Sequence, residues 1–120
     1  MLRYGIAVLA VATAVTSAGS ASAASPFDGR WSVLIQTRSG ACDSYRYRLA
    51  IVNGNVTYAG EGGFQVRGHV APSGAVHVRV SSGSSYADGH GRLTRSSGSG
   101  TWRGIGSGVC AGVWTADRRG

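Results

Sequence analysis

Three histidines fall close together in the chain, His69, His77 and His90, and one of them follows an acid in the pair Asp88-x-His90. Histidine is the commonest metal ligand and a frequent general base. Three on one surface could hold zinc or copper, and an acid beside a base is a first requirement of a hydrolytic site. The strong bases are all arginine: 12 against 5 acids, with a formal net charge of +7. Guanidinium forks bind phosphate, sulfate and carboxylate bidentately. Arg46, Arg48, Arg67, Arg79, Arg92 and Arg103 are therefore candidate anion ligands. The two cysteines, Cys42 and Cys110, are too few for a structural zinc site, which takes four ligands.

The elements that position these groups read as strands. Apolar and polar residues alternate with a period of two over 30–38, 44–52, 55–59, 63–71, 75–82, 85–95, 99–105 and 109–117. Turn signals separate them: Asn53-Gly54, Gly60-Glu61-Gly62, Pro72-Ser73-Gly74, Gly83-Ser84, Ser97-Gly98 and Gly106-Ser107-Gly108. No helical periodicity follows residue 24. A chain of 120 residues supports one domain and excludes a two-domain enzyme, a repeat array and a parallel α/β fold.

Turn lengths set registers, and paired residues share a face. The Asn53-Gly54 turn pairs Ile51 with Val56 and Leu49 with Tyr58. The Gly60–Gly62 turn pairs Tyr58 with Phe64 and Val56 with Val66. The remaining turns pair Val70 with Val76, Val80 with Ala87 and Leu93 with Trp102. One inner face then carries Trp31, Trp102 and Trp114 with most of the aliphatic residues, and Gly89, Gly91, Gly104 and Gly112 share it. On the outer face the same registers predict a row His69–His77–His90, a row Arg67–Arg79–Asp88 and a pair Arg92–Arg103. An eight-stranded sheet of this kind closes on itself to remove its edges. The expected fold is all-β, an eight-stranded antiparallel up-and-down meander closed into a small barrel, with a β-sandwich as the alternative.

Residues 1–23 carry a basic Arg3, an apolar run over 6–15 and the small-residue sequence Ala21-Ser22-Ala23, which together read as a secretory signal peptide. Residues 24–120 are then the barrel domain of a secreted or periplasmic protein with no transmembrane segment after cleavage. An even cysteine count in an exported domain reads as a Cys42–Cys110 disulfide. In a closed meander it staples strand one to strand eight.

Gly29-Arg30-Trp31 opens the first strand and Arg118 follows the last. This resembles the calycin pattern of lipocalins and avidins. The resemblance implies a barrel floor in which Trp31 packs against Arg118 in a cation–π contact. The segments Phe27-Asp28-Gly29-x-Trp31, Gly100-Thr101-Trp102 and Cys110-x-Gly112-x-Trp114-x-Ala116 also resemble small exported bacterial proteins, a resemblance that implies no activity.

The expected function is a non-catalytic binding or interaction module. Its partner is an anionic polysaccharide, a lipopolysaccharide or a protein on the arginine face, or a small apolar ligand at the barrel mouth. An inhibitor of periplasmic enzymes is a variant of the same reading. Few outward aromatics are available to stack on bases, which disfavours nucleic acid. No cofactor is implied. The competing readings are a metal-binding protein or hydrolytic enzyme centred on His77, His90 and Asp88, and a structural envelope protein. Strand spacing of ~4.8 Å sets the outer two histidines ~10 Å apart, which works against a shared ion. The acids show no inward pair of the kind that glycoside hydrolysis uses.

Overall fold

The computed structural model describes residues 24–120 together with Gly5. The expected signal peptide, residues 1–23, otherwise lies outside the described residues. Eight strands follow in order: β1 (Gly29–Ser39), β2 (Tyr45–Val52), β3 (Asn55–Tyr58), β4 (Gln65–Val70), β5 (Ala75–Ser82), β6 (Ser85–Leu93), β7 (Ser97–Gly106) and β8 (Gly108–Arg118). Each pairs antiparallel with the next, and β8 returns to β1, so the sheet is a closed barrel. The barrel, and not the sandwich, is the solution.

Local chemistry fixes several registers as expected. Asn53 (φ 53°) and Gly54 (φ 78°) both occupy the left-handed region, the signature of a two-residue hairpin turn that favours Asn-Gly. Ile51 accordingly faces Val56, and Leu49 faces Tyr58. The carboxylate of Asp28 accepts hydrogen bonds from the Asn53 and Gly54 amides at 2.8 and 3.0 Å, tying this turn to the start of β1. Val70 faces Val76, and Val80 faces Ala87, also as expected.

Two registers differ. Val56 faces Gly68, not Val66, because the glycine-rich loop before β4 is longer than a three-residue turn. Tyr58 and Phe64 still meet, but as an edge-to-face pair at 5.5 Å and not as ladder partners. The second difference is larger. Leu93 faces Gly98, and Trp102 faces Gly89. The turn is not Ser97-Gly98 but the segment from Thr94 to Ser97. The Thr94 amide donates to the Ser97 carbonyl at 2.7 Å, and the Ser97 amide donates to the Thr94 hydroxyl at 3.1 Å. Hydroxyl side chains of this kind close turns by capping their own backbone.

The core is built as large on small. The Trp114 indole lies against the backbone of Gly89, Gly91 and Gly100. A Cβ added to Gly100 would come within 2.6 Å of the Trp114 Nε1 atom and into the His90 carbonyl. Trp102 lies over Gly112 in the same manner, where a Cβ would fall 2.8 Å from its Nε1. Each indole N–H is then close enough to the sheet to donate to a backbone carbonyl. Trp114 donates to His90 and Trp102 to Gln36, both at 3.2 Å, and Trp31 donates to Phe27 at 2.9 Å. Buried indoles need such partners, and the glycines allow those of Trp102 and Trp114. Packing leaves an apolar space of about 60 Å³ at the centre of the barrel.

One end of the barrel is shut. Trp31 and Arg118 are cross-strand partners across the β1–β8 seam, and the guanidinium lies 5.5 Å from the indole ring. The fork of Arg118 donates to the carbonyls of Pro26 and Arg95 at 3.0 and 2.7 Å, and also to that of Asp28. Phe27 is buried beneath the Pro72-Ser73-Gly74 turn and completes the plug. At the other end the Cys42–Cys110 disulfide joins the β1–β2 loop to β8. Chain-entropy reasoning gives a closed loop of 68 residues a stabilisation of about 4 kcal/mol.

Two outcomes follow for chemical denaturation. Gly100→Ala destabilises the barrel by about 1–3 kcal/mol through overpacking against Trp114, whereas Gly63→Ala, in open space, changes stability by less than about 0.5 kcal/mol. Arg118→Met keeps the bulk but removes the fork, and costs about 2 kcal/mol. Arg119→Met at an exposed neighbouring position is close to neutral.

Candidate functional site

The alternating parity of the strands sends two groups of side chains to two different places. Inward-pointing residues near the unplugged end form a mouth. Outward-pointing residues of β4–β7 form a charged shelf.

The mouth opens between the β1–β2 loop, the β3–β4 loop and the tips of the β5–β6 and β7–β8 hairpins. Its volume is about 430 Å³, inside the range of about 300–1,000 Å³ usual for small-molecule sites. Trp102, Val80 and Ala87 form its base, Tyr47 and Phe64 its walls, and Ser82, Ser85 and Asp43 contribute polar groups near the rim, where the outward-facing Ser81 and Tyr86 of the β5–β6 hairpin also border it. An aromatic cluster gives it shape. Phe64 meets Tyr47 edge to face at 5.2 Å, and Tyr45 meets Tyr47 at 5.9 Å. The Tyr58 hydroxyl donates to the Glu61 carbonyl at 2.5 Å, which pins the β3–β4 loop beside Phe64. Burial pushes the Tyr47 phenol above its ordinary range, with smaller contributions from Tyr45 and Tyr58. Large apolar side chains remain exposed among the lining residues: Tyr45 is 49% accessible and Ile105 43%.

The shelf confirms the expected histidine row. His69 faces His77, and His77 faces His90. The arginine rows are corrected by the β6–β7 register. Arg103 faces Asp88 and joins the row Arg67–Arg79–Asp88–Arg103, while Arg92 faces Ser99. Arg46 and Arg48 lie apart from all of these on β2, where Arg46 donates to the Ser32 hydroxyl at 3.1 Å. The six candidate anion ligands are therefore two groups and not one face.

Charge on the shelf is arranged around one acid. Arg79 grips Asp88 with both arms, Nε to Oδ1 at 2.8 Å and Nη2 to Oδ2 at 2.7 Å. The same guanidinium covers the Tyr86 ring at 4.5 Å. The Arg79 hydrogen bond is the main reason the Asp88 carboxyl is held below its ordinary range, with His77 and His90 adding smaller attractions. An acid held ionised in this way is a poor proton donor. His77 Nε2 stands 3.8 Å from Asp88 Oδ1, beyond hydrogen-bond reach, so Asp88 does not orient the imidazole as a triad acid does.

The histidines themselves stack. The rings of His77 and His90 are 4.2 Å apart and 6° from parallel. Lone pairs of imidazole lie in the ring plane, and parallel planes do not meet at one ion. Among the described residues no group of three or more His, Cys, Asp or Glu side chains is arranged to hold a metal ion. His69, His77 and His90 thus form a row, as expected, without the convergence a shared ion needs.

What the sequence did not single out is the mouth cluster. Tyr45, Tyr47, Tyr58 and Phe64 all carry inner parity, but nothing in the parity separates rim from core. The available signal was their position next to the loops opposite the Trp31 end.

The ion pair makes a pH-dependent outcome. Asp88 and Asp28 both have carboxyl groups held below the ordinary value of 3.8, Asp28 chiefly by the Gly54 amide. Each contributes stability that is fully present above that value and is lost as pH falls through the lower folded-state value. Thermal melts taken toward about pH 2 fall steeply for the native chain, and less steeply for Asp88→Asn and Asp28→Asn. No family model, curated protein or solved structure matches this chain.

Proposed function

We propose that the protein is a secreted or periplasmic, non-catalytic binding module of calycin-like design, and that its ligand is a small, largely apolar molecule held in the barrel mouth. The single observation that carries this reading is the asymmetry of the two ends. One end is closed by Phe27, Trp31 and Arg118. The other leaves a space of about 430 Å³ over aromatic walls, with exposed apolar side chains beside it. A protein that needed only a packed core would close both ends, because exposed apolar area has a cost of roughly 25 cal/mol per Å².

The composition of the mouth supports a ligand with an apolar body and a polar edge. The body descends toward Trp102, Val80 and Ala87. The edge remains with the Tyr47 phenol and the serine hydroxyls of the β5–β6 hairpin. The disulfide supports an oxidising compartment, and the Gly29-Arg30-Trp31 and Arg118 floor supports the calycin resemblance.

Neutral N-phenylnaphthylamine is a suitable probe, because it carries no charge that the arginines could attract. Saturable binding is expected, read by probe fluorescence and by quenching of Trp102. Tyr47→Ala, and Ser85→Trp placed to cover the rim, each weaken it by about tenfold, equal to about 1.4 kcal/mol. Added salt leaves the affinity unchanged. Absence of saturable binding, or binding indifferent to both substitutions, would overturn the proposal.

A further inference from the structure

We infer that the outer face of β4–β7 is a second, independent binding surface, and that its ligand is a linear acidic polysaccharide. Three observations carry this.

The first is the charge balance. Arg67, Arg79, Arg92 and Arg103 share this face with one acid, Asp88, and Asp88 is fully engaged by Arg79. Among the described residues Arg67, Arg92 and Arg103 make no ion pair with a carboxylate. Arg92 directs one arm to the Ser73 carbonyl at 3.4 Å, which leaves the forks of Arg67 and Arg103, with the rest of Arg92, to hold carboxylate or sulfate groups.

The second is the layout. The ladder sets Arg67 and Arg103 at the two ends of one row across four strands. At ~4.8 Å per strand their origins are ~14 Å apart. A compact anion cannot reach both, but a chain lying across the strands can. The parallel row His69–His77–His90 adds imidazole donors along the same direction. Between the rows runs a shallow depression of about 520 Å³ bounded by Arg67, His69, His77, Arg79, Asp88 and His90.

The third observation separates a glycan from a nucleic acid. Sequence-tolerant binding of single strands relies on aromatic faces for the bases. Tyr86, the aromatic ring nearest the shelf, is covered by Arg79, and His77 and His90 cover one another. The surface provides charged forks and hydrogen-bonding edges, which suit a hydroxyl-rich acidic chain.

The test uses the exported domain, residues 24–120, with its disulfide intact, and immobilised heparin, polygalacturonate and single-stranded DNA across a salt series. Both glycans are expected to bind, with affinity falling steeply as salt rises. The double substitution Arg67→Gln with Arg103→Gln weakens glycan binding by about tenfold and flattens the salt dependence, because two anionic contacts are lost. Both positions are exposed, so thermal melts stay unchanged and confirm the fold. Arg46→Gln with Arg48→Gln removes the same charge from β2 and changes binding by less than about twofold. Binding of N-phenylnaphthylamine at the mouth is unaffected by either pair, which keeps the two sites distinguishable. Three results would overturn the inference: no glycan binding at low salt, an equal loss from the β2 pair, or DNA bound as tightly as the glycans.

Discussion

Everything in this barrel depends on the seam where β8 returns to β1. A sheet of eight short, glycine-rich strands has little reason to stay closed unless its last joint is secured. The seam is secured twice, by different chemistry. At the floor Arg118 lies against Trp31 and feeds carbonyls from the entry segment and the β6–β7 turn. At the rim a disulfide links the β1–β2 loop to β8. Trp31, Phe27 and Arg118 fill the floor, whereas the mouth opens at the disulfide end, with Cys42 on its lining.

The glycines and tryptophans are the second half of the same constraint. Closing eight strands leaves an interior only just wide enough for side chains. The Trp102 and Trp114 indoles fit because Gly89, Gly91, Gly100 and Gly112 let them approach the backbone closely. The indole N–H groups then find carbonyl partners in the sheet itself. Parity does the rest. Each strand that buries an apolar residue must present the next one outward, so the basic shelf on β4–β7 and the aromatic mouth are built by the same alternation.

Much of this was legible in the residue order. Eight strands, barrel closure, the Asn53-Gly54 turn, the cross-strand histidines and the Arg79–Asp88 pairing all follow from alternation and turn length. The two misplaced registers share a cause. Glycine and serine are so common that Ser97-Gly98 looks like a turn when it lies in a strand, and the true turn is marked by Thr94 and Ser97 capping each other. That slip moved Arg103 away from Asp88 and hid the four-residue row. Other features have no one-dimensional trace. The stacking of His77 on His90, the grip of both Arg79 arms on Asp88, and the depth of the mouth arise from side-chain conformations that no periodicity encodes.

The central claim, that the open end of the barrel is a ligand site, is tested most directly by amide chemical-shift mapping. The disulfide-bonded domain is titrated with neutral N-phenylnaphthylamine. Saturating shifts are expected at Tyr47, Phe64, Ser85, Ala87 and Trp102, with the floor around Trp31 and Arg118 unchanged. Shifts that are scattered over the barrel, or confined to the outer face of β4–β7, would contradict a binding function at the mouth.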